Sequence, residues 1–118
     1  MPGTIQRRAQ YFELTPDVYP AKQRLDALKG AKIRAQVRKR IIRAELGNYG
    51  DHRRLDGDLV ELKEDKGPGY RVYMGEEGTR LILILAIGDK SEQTKDIRAA
   101  REYWATYKKR KRRTGHAA

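Results

Sequence analysis

The sequence predicts an α+β domain, and three observations carry that prediction. Residues 59–87 hold three short apolar stretches separated by Gly and Pro: Leu59-Val60-Glu61-Leu62-Lys63, Tyr70-Arg71-Val72-Tyr73-Met74, and the run from Leu81 to Ile87. This spacing reads as three successive antiparallel strands. Residues 31–46 repeat apolar side chains at helical period. A second helical stripe, Ile97, Ala100, Trp104 and Tyr107, closes the chain. Together these give two N-terminal helices packed on a mostly antiparallel sheet of four to five strands, followed by a C-terminal helix.

In chain order, residues 1–9 show no periodicity and read as a flexible leader. Residues 10–107 form the domain. Tyr11, Phe12 and Leu14 suit a short edge strand within 10–14. Thr15-Pro16-Asp17 has the cap, the first-turn proline and the acidic residue of a helix start; Pro20 allows a start one turn later. Tyr19, Leu25 and Leu28 would form that helix's buried stripe, and Gly30 ends it. In the next helix, Ile33, Val37, Ile41 and Ala44 make one face, widened by Ile42 and Leu46. Lys32, Arg34, Arg38, Lys39, Arg40 and Arg43 lie opposite, and Gly47 stops the helix. Residues 47–50 form a turn and 51–55 an edge strand. Residues 75–78 form the turn before the all-apolar run 81–87, which belongs mid-sheet because both of its faces need cover. Ser91 is placed to cap the last helix. Trp104 reads as core packing, while Tyr103 lies off the stripe. Residues 108–118 carry six basic groups and no acidic one, and such like charge predicts a disordered basic tail.

The chain has 118 residues, with 27 Lys and Arg against 16 Asp and Glu, a formal net charge of +11. An excess of this size points to an anionic partner. It is unevenly placed: residues 1–50 carry net +7, residues 51–107 net −2 and the tail net +6. No apolar run approaches the roughly 20 residues of a spanning helix, and the polar start is unlike a signal peptide. Cysteine is absent, which excludes disulfides and thiolate metal sites. His52 and His116 are too few and too far apart to hold a metal, so neither metal nor cofactor is expected.

Side-chain alternation gathers Glu61, Lys63, Arg71 and Tyr73 on one sheet face, opposite Val60, Leu62, Tyr70, Val72 and Met74. Two cations, a phenol and a carboxylate suit a grip on a phosphodiester. An ordinary solvated face has the same pattern, and both readings stand at this point.

The motifs Leu46-Gly47-Asn48-Tyr49-Gly50-Asp51, Glu61-Leu62-Lys63, Gly67-Pro68-Gly69-Tyr70-Arg71-Val72-Tyr73 and Gly88-Asp89-Lys90-Ser91, followed by Gln93 and Lys95-Asp96-Ile97, add a resemblance. The chain resembles type II toxins of the RelE/ParE superfamily, in the branch of short phage-related addiction module killer proteins often labelled HigB-like. The likeness runs over residues 15–107. It implies a cytoplasmic toxin held by a cognate helix-turn-helix antitoxin. RelE-type members are ribosome-dependent mRNA endonucleases, whereas ParE-type members inhibit DNA gyrase. It also implies that Arg71 contacts the scissile phosphate, with Lys63 and Lys90 adding positive charge. Lys63 stands where relatives carry arginine. Asp96 stands where RelE-type enzymes carry a functional tyrosine. Tyr73 is expected to bond the phosphate or stack on a base. Glu61 and Asp89 are the carboxylates nearest by sequence for proton transfer, with pairing to Lys63 and helix capping as their structural alternatives. Lys32, Arg38, Lys39 and Arg43, with Lys108, Lys109 and Arg110 of the tail, are the expected RNA-docking cations. The competing readings are a gyrase inhibitor, which needs an apolar anchor cluster that the sequence does not leave spare, and a simple basic RNA-binding module.

Overall fold

The computed structural model describes residues 5–113. The elements are β1 (Arg8–Tyr11), α1 (Pro20–Ala27), α2 (Ala31–Glu45), β2 (His52–Asp56), β3 (Leu59–Glu64), β4 (Tyr70–Glu77), β5 (Leu81–Gly88), a 3-10 turn (Lys90–Glu92) and α3 (Gln93–Arg113). The five strands form one mixed sheet in the order β1-β5-β4-β3-β2. β1 lies parallel to β5, and the other three pairings are antiparallel. The α+β class and the closing helix hold. The parallel β1–β5 pairing and the extra 3-10 turn were not expected.

Two layers of core form because both sheet faces are covered. One face packs Val60, Leu62, Val72, Met74, Ile82 and Ile84 against Ala21 and Leu25 of α1 and Val37, Ile41 and Ala44 of α2. The other packs Leu59, Tyr73, Leu83, Leu85 and Ala86 against Ala100 and Trp104 of α3. A β-bulge between Tyr73 and Met74 lets consecutive residues Leu85 and Ala86 both serve the α3 face. Burying each of the Val, Leu, Ile and Met side chains among these stabilises the fold by about 1.5–3 kcal/mol.

Several expectations change. Thr15-Pro16-Asp17 is a turn closed by a Thr15–Val18 bridge, with Asp17 at φ 64°. The helix starts at Pro20, whose missing N–H costs nothing in a first turn. Of the expected stripe, Leu25 is fully buried and Leu28 packs against the core, while Tyr19 is exposed and Ala21 is buried in its place. Ile42 and Leu46 do not widen the core. They are 56% and 53% exposed, adjacent on α2 at i, i+4 spacing. Arg40, placed by pattern on the solvent side, is buried. β4 runs on through Glu77, so residues 75–77 are strand, not turn. Gly75 belongs there because Trp104 lies over it: a Cβ would come within 2.5 Å of the indole.

Neither chain end behaves as predicted where it is described. Arg7 donates its backbone N–H to the Glu45 carbonyl, and the Ala9 N–H is taken by the Glu45 carboxylate at 2.7 Å. These bonds tie residues 7–9 to α2 and blunt the β1 edge. α3 continues through Arg113 in place of a disordered tail from 108. Arg110 donates to the Glu13 and Leu14 carbonyls at 2.6 Å and stands over the Phe12 ring, and Lys111 pairs with Glu77. Cations in a last turn also complement the helix dipole. The remainder of the leader and tail predictions, residues 1–4 and 114–118, lies outside the described residues.

Candidate functional site

β3 and β4 pair in the register Lys63↔Arg71 and Glu61↔Tyr73, and β4 and β5 in the register Arg71↔Gly88. Directly opposed residues project to the same face. Glu61, Lys63, Arg71 and Tyr73 therefore do share a face, but α3 covers most of it. Glu61 and Tyr73 are fully buried and Arg71 is 5% exposed, while Lys63 is half-buried and Lys90 exposed. The solvated-face reading is overturned. What remains open is the end of the face beside the loop between β3 and β4.

Arg71 sits at that end. Its Nη1 donates to the Tyr70 and Glu64 carbonyls at 3.0 and 3.2 Å, and its Nη2 to Asp65 Oδ1 at 2.9 Å. Its Nε is buried without a hydrogen-bond partner, 4.0 Å from Glu61 Oε2. Glu61 is held from two other sides, by Gln93 Nε2 at 2.7 Å and Arg53 Nε at 3.1 Å. Its expected partner Lys63 is not among these. Tyr73 lies one residue pair deeper, with its hydroxyl buried beside Glu61 but outside hydrogen-bond geometry. Burial, then the Glu61 carboxylate, push that phenol far above its ordinary range. With no exposed surface, Tyr73 cannot stack on a base or reach a phosphate, so the predicted catalytic role does not fit its position.

Lys63, Arg71 and Lys90 are brought together around Asp65. The hydrogen bond from Arg71 holds the Asp65 carboxyl below its ordinary range, and the charges of Arg71, Lys90 and Lys63 act in the same direction. Lys90 lies beside Gly69, with its Cδ at ordinary contact distance, 3.6 Å, from where a Cβ would stand; glycine is needed there for its φ of 76° and because that Cβ would fall 2.8 Å from the Glu64 carbonyl oxygen. Asp65 was missed in the sequence. Its signal was its place in the turn between two strands whose facing residues are Lys63 and Arg71.

Asp96 enters the same buried face from α3. It is 6% exposed, and its Oδ2 has no hydrogen-bond partner among the described residues. It occupies the space over Gly88, where a Cβ would fall 2.0 Å from Oδ2. Burial pushes its carboxyl up, against the opposing charge of Arg24. Asp89 caps the 3-10 turn that leads into α3, accepting the Ser91 N–H at 2.9 Å.

A second basic surface lies alongside. Lys32, Gln36, Lys39 and Arg43 form one stripe of α2 and face Lys66, Pro68 and Tyr70 across a groove of about 500 Å³. This groove continues into a hollow of about 410 Å³ lined by Arg43, Asn48, Lys63, Asp65 and Lys66. Of the four α2 cations predicted to dock RNA, Arg38 falls outside the stripe. Lys108, Lys109 and Arg110 stand on α3, across the sheet from α2, so the two predicted basic sets do not meet. Arg40 supports the groove floor: it donates to the Tyr49 and Asp51 carbonyls at 3.1 and 2.7 Å and to the Tyr70 hydroxyl at 3.4 Å. The 47–50 turn thus clasps a buried guanidinium. Tyr49 bonds Glu76 at 2.6 Å, and burial together with that bond raises its phenol to about 12. Among the described residues, no cluster of three or more His, Asp or Glu could hold a metal ion, and no helix is long and apolar enough to cross a membrane.

The chain is 40% identical over 77 residues to an uncharacterized protein of Haemophilus influenzae, an alignment that covers 65% of this chain and 78% of that protein. The chain belongs to the same family as that protein. No family model and no solved structure matches it.

Proposed function

We propose that this chain is the toxin of a type II toxin-antitoxin pair. In this reading it is a metal-independent mRNA endonuclease that acts on the ribosome and arrests translation in the cytoplasm. The RelE/ParE-like fold assignment belongs to the same proposal. The observation that carries it is the grouping of Lys63, Arg71 and Lys90 at the β3–β4 loop end of a covered sheet face: Lys63 stands opposite Arg71 across the strands, Arg71 bonds Asp65, and Lys90 lies beside Gly69. Three cations placed there can hold a phosphodiester and take up charge as the RNA 2′-hydroxyl oxygen attacks phosphorus to form a 2′,3′-cyclic phosphate, its proton passing through solvent to the departing 5′-oxygen. The carboxylates nearby are otherwise engaged: Glu61 by Gln93 and Arg53, and Asp89 by Ser91. Without a free strong base, the 2′-hydroxyl must be aligned from outside, which is the work assigned to the ribosome. The groove along Lys32, Lys39 and Arg43 supplies a docking surface for RNA backbone next to the reacting phosphate. The expected partners are mRNA, ribosomal RNA and a helix-turn-helix antitoxin.

One observation favours a second reading. Ile42 and Leu46 form an exposed apolar pair of the kind that anchors a protein partner. The argument that the chain has no spare apolar anchor fails there, so a ParE-like gyrase inhibitor stays in view. One experiment separates the two. Purified protein is added to a translating extract, with 5′ ends mapped by primer extension, and in parallel to a gyrase supercoiling assay. New 5′ ends within the translated message, with supercoiling unaffected, are expected. Inhibited supercoiling without new ends would replace the nuclease reading with the gyrase one.

A further inference from the structure

The guanidinium of Arg71 is committed in three different ways. Its Nη1 is anchored by two backbone carbonyls, which do not move without the strands. Its Nε is buried against Glu61. Its Nη2 alone points outward, to a side chain on the connecting loop. The two ends of this last contact differ sharply: the Arg71 side chain is 7% exposed, and that of Asp65 is 59% exposed. Exposed ion pairs are weak, because water competes for the carboxylate. Lys63 stands opposite Arg71 across the strands and lines the same hollow as Asp65, and Lys90 Cδ lies 3.6 Å from the Cβ position of Gly69 in the same loop, yet neither lysine forms a close ion pair among the described residues. Three fixed or nearby cations thus surround one solvated carboxylate. The loop that bears it holds Gly67 and Gly69 at φ 61° and 76°, and residues 65–68 are exposed. The carboxylate can leave without disturbing the buried end of the arginine.

We infer that the outward edge of Arg71, with Lys63 and Lys90, is a binding site for one RNA phosphate that the free protein fills with its own Asp65 carboxylate, so that RNA binds by exchange with Asp65. This rests on the phosphodiester-gripping reading above and adds a gate to it. A carboxylate and a phosphate oxygen accept the same guanidinium edge, and a planar donor pair recognises either. The phosphate wins by its second contact, because Lys63 and Lys90 are left unsatisfied by Asp65. A phosphate presented in the wrong geometry cannot reach both lysines and does not displace the loop. The intramolecular carboxylate therefore raises the threshold for stray anions, while a correctly placed phosphodiester overcomes it.

The test uses the full chain and a short, fluorescently labelled 2′-O-methyl RNA, which can bind but cannot be cut. Asp65→Asn keeps the shape and removes the competing charge. It is expected to tighten binding roughly tenfold, as when a competent state rises from about a tenth of the population to all of it. Glu64→Gln makes the same charge change one residue away, at a carboxylate that bonds only the loop N–H of Lys66. It is expected to change affinity by less than about twofold, the effect of one rim charge on general attraction. Lys63→Gln, Lys90→Gln and Arg71→Gln should each weaken binding, and Arg71→Gln should abolish the gain of Asp65→Asn. Without any variant, a carboxyl-carbon NMR titration should show the Asp65 pKa moving up toward its ordinary range when the RNA is bound. Equal tightening by Glu64→Gln, or no tightening by Asp65→Asn while the cation variants still weaken binding, would overturn the exchange and leave the phosphate reading standing. Unchanged binding in all three cation variants would overturn both, and the lysine variants, at half-buried and exposed positions, keep that outcome readable if the arginine variant fails to fold.

Discussion

The two faces of the sheet are built on different terms. The face under α1 and α2 is mostly apolar, its buried apolar residues form one cluster, and the two charges buried on it, Arg40 and Glu76, are both hydrogen-bonded. The face under α3 is apolar only at the end nearest Trp104. Its other end buries Glu61, Arg71, Tyr73 and Asp96, and leaves three polar atoms without hydrogen-bond partners among the described residues: Arg71 Nε, the Tyr73 hydroxyl and Asp96 Oδ2. Burying such groups unpaired costs stability. The first face holds the strands in register, and that register lets the second hold Arg71 in place.

The comparison can be broken most directly on the dry face. Leu62→Ala removes a fully buried side chain from it and should lower unfolding free energy by about 2–5 kcal/mol, read from denaturant midpoints. A cost under about 1 kcal/mol would mean that this face is not the stabilising one. On the α3 face the sign reverses. Tyr73→Phe deletes a hydroxyl that has no hydrogen-bond partner among the described residues, and should leave stability unchanged or raise it by up to about 1 kcal/mol. A loss larger than that would show that the hydroxyl is satisfied after all. The smallest effect is a slope. Burial raises the Asp96 carboxyl above its unfolded value of about 4. A group raised in the folded state contributes fully below its unfolded pKa, and that contribution is lost as pH rises through the folded value. Asp96→Asn removes the loss, so its stability relative to the native chain should increase from acid to neutral pH. A pH-independent difference would place Asp96 in a polar, satisfied site.

The dry face was legible in the sequence because alternation at residues 59–63 and 70–74 and the period of 31–44 report burial directly. Glu61, Lys63, Arg71 and Tyr73 were likewise assigned to one face correctly. Their burial was not legible, since polar alternation looks the same whether water or a helix lies above it. The missing signal was in small residues: Gly75, Ala86 and Gly88 lie on the covered face, and they are where Trp104 and Asp96 approach. The stripe of Ala100 and Trp104 needed such a surface, and none had been set aside for it. Arg40 was misread for the opposite reason. Its burial depends on carbonyls of the 47–50 turn, which no helical period encodes. The order of residues 108–113 was missed because charge counting ignores carbonyl partners such as those that Arg110 finds at Glu13 and Leu14.

We propose that the α3 face holds Arg71 ready for a phosphodiester. This claim is tested most directly by mapping 5′ ends on a translated message with the native chain and with Arg71→Ala, after circular dichroism and thermal unfolding have shown that the variant is folded. Loss of one such contact to a transition state costs on the order of 2–4 kcal/mol, so cleavage by the folded variant should fall by roughly two to three orders of magnitude. Cleavage by the folded Arg71→Ala chain at the native rate would contradict the claim.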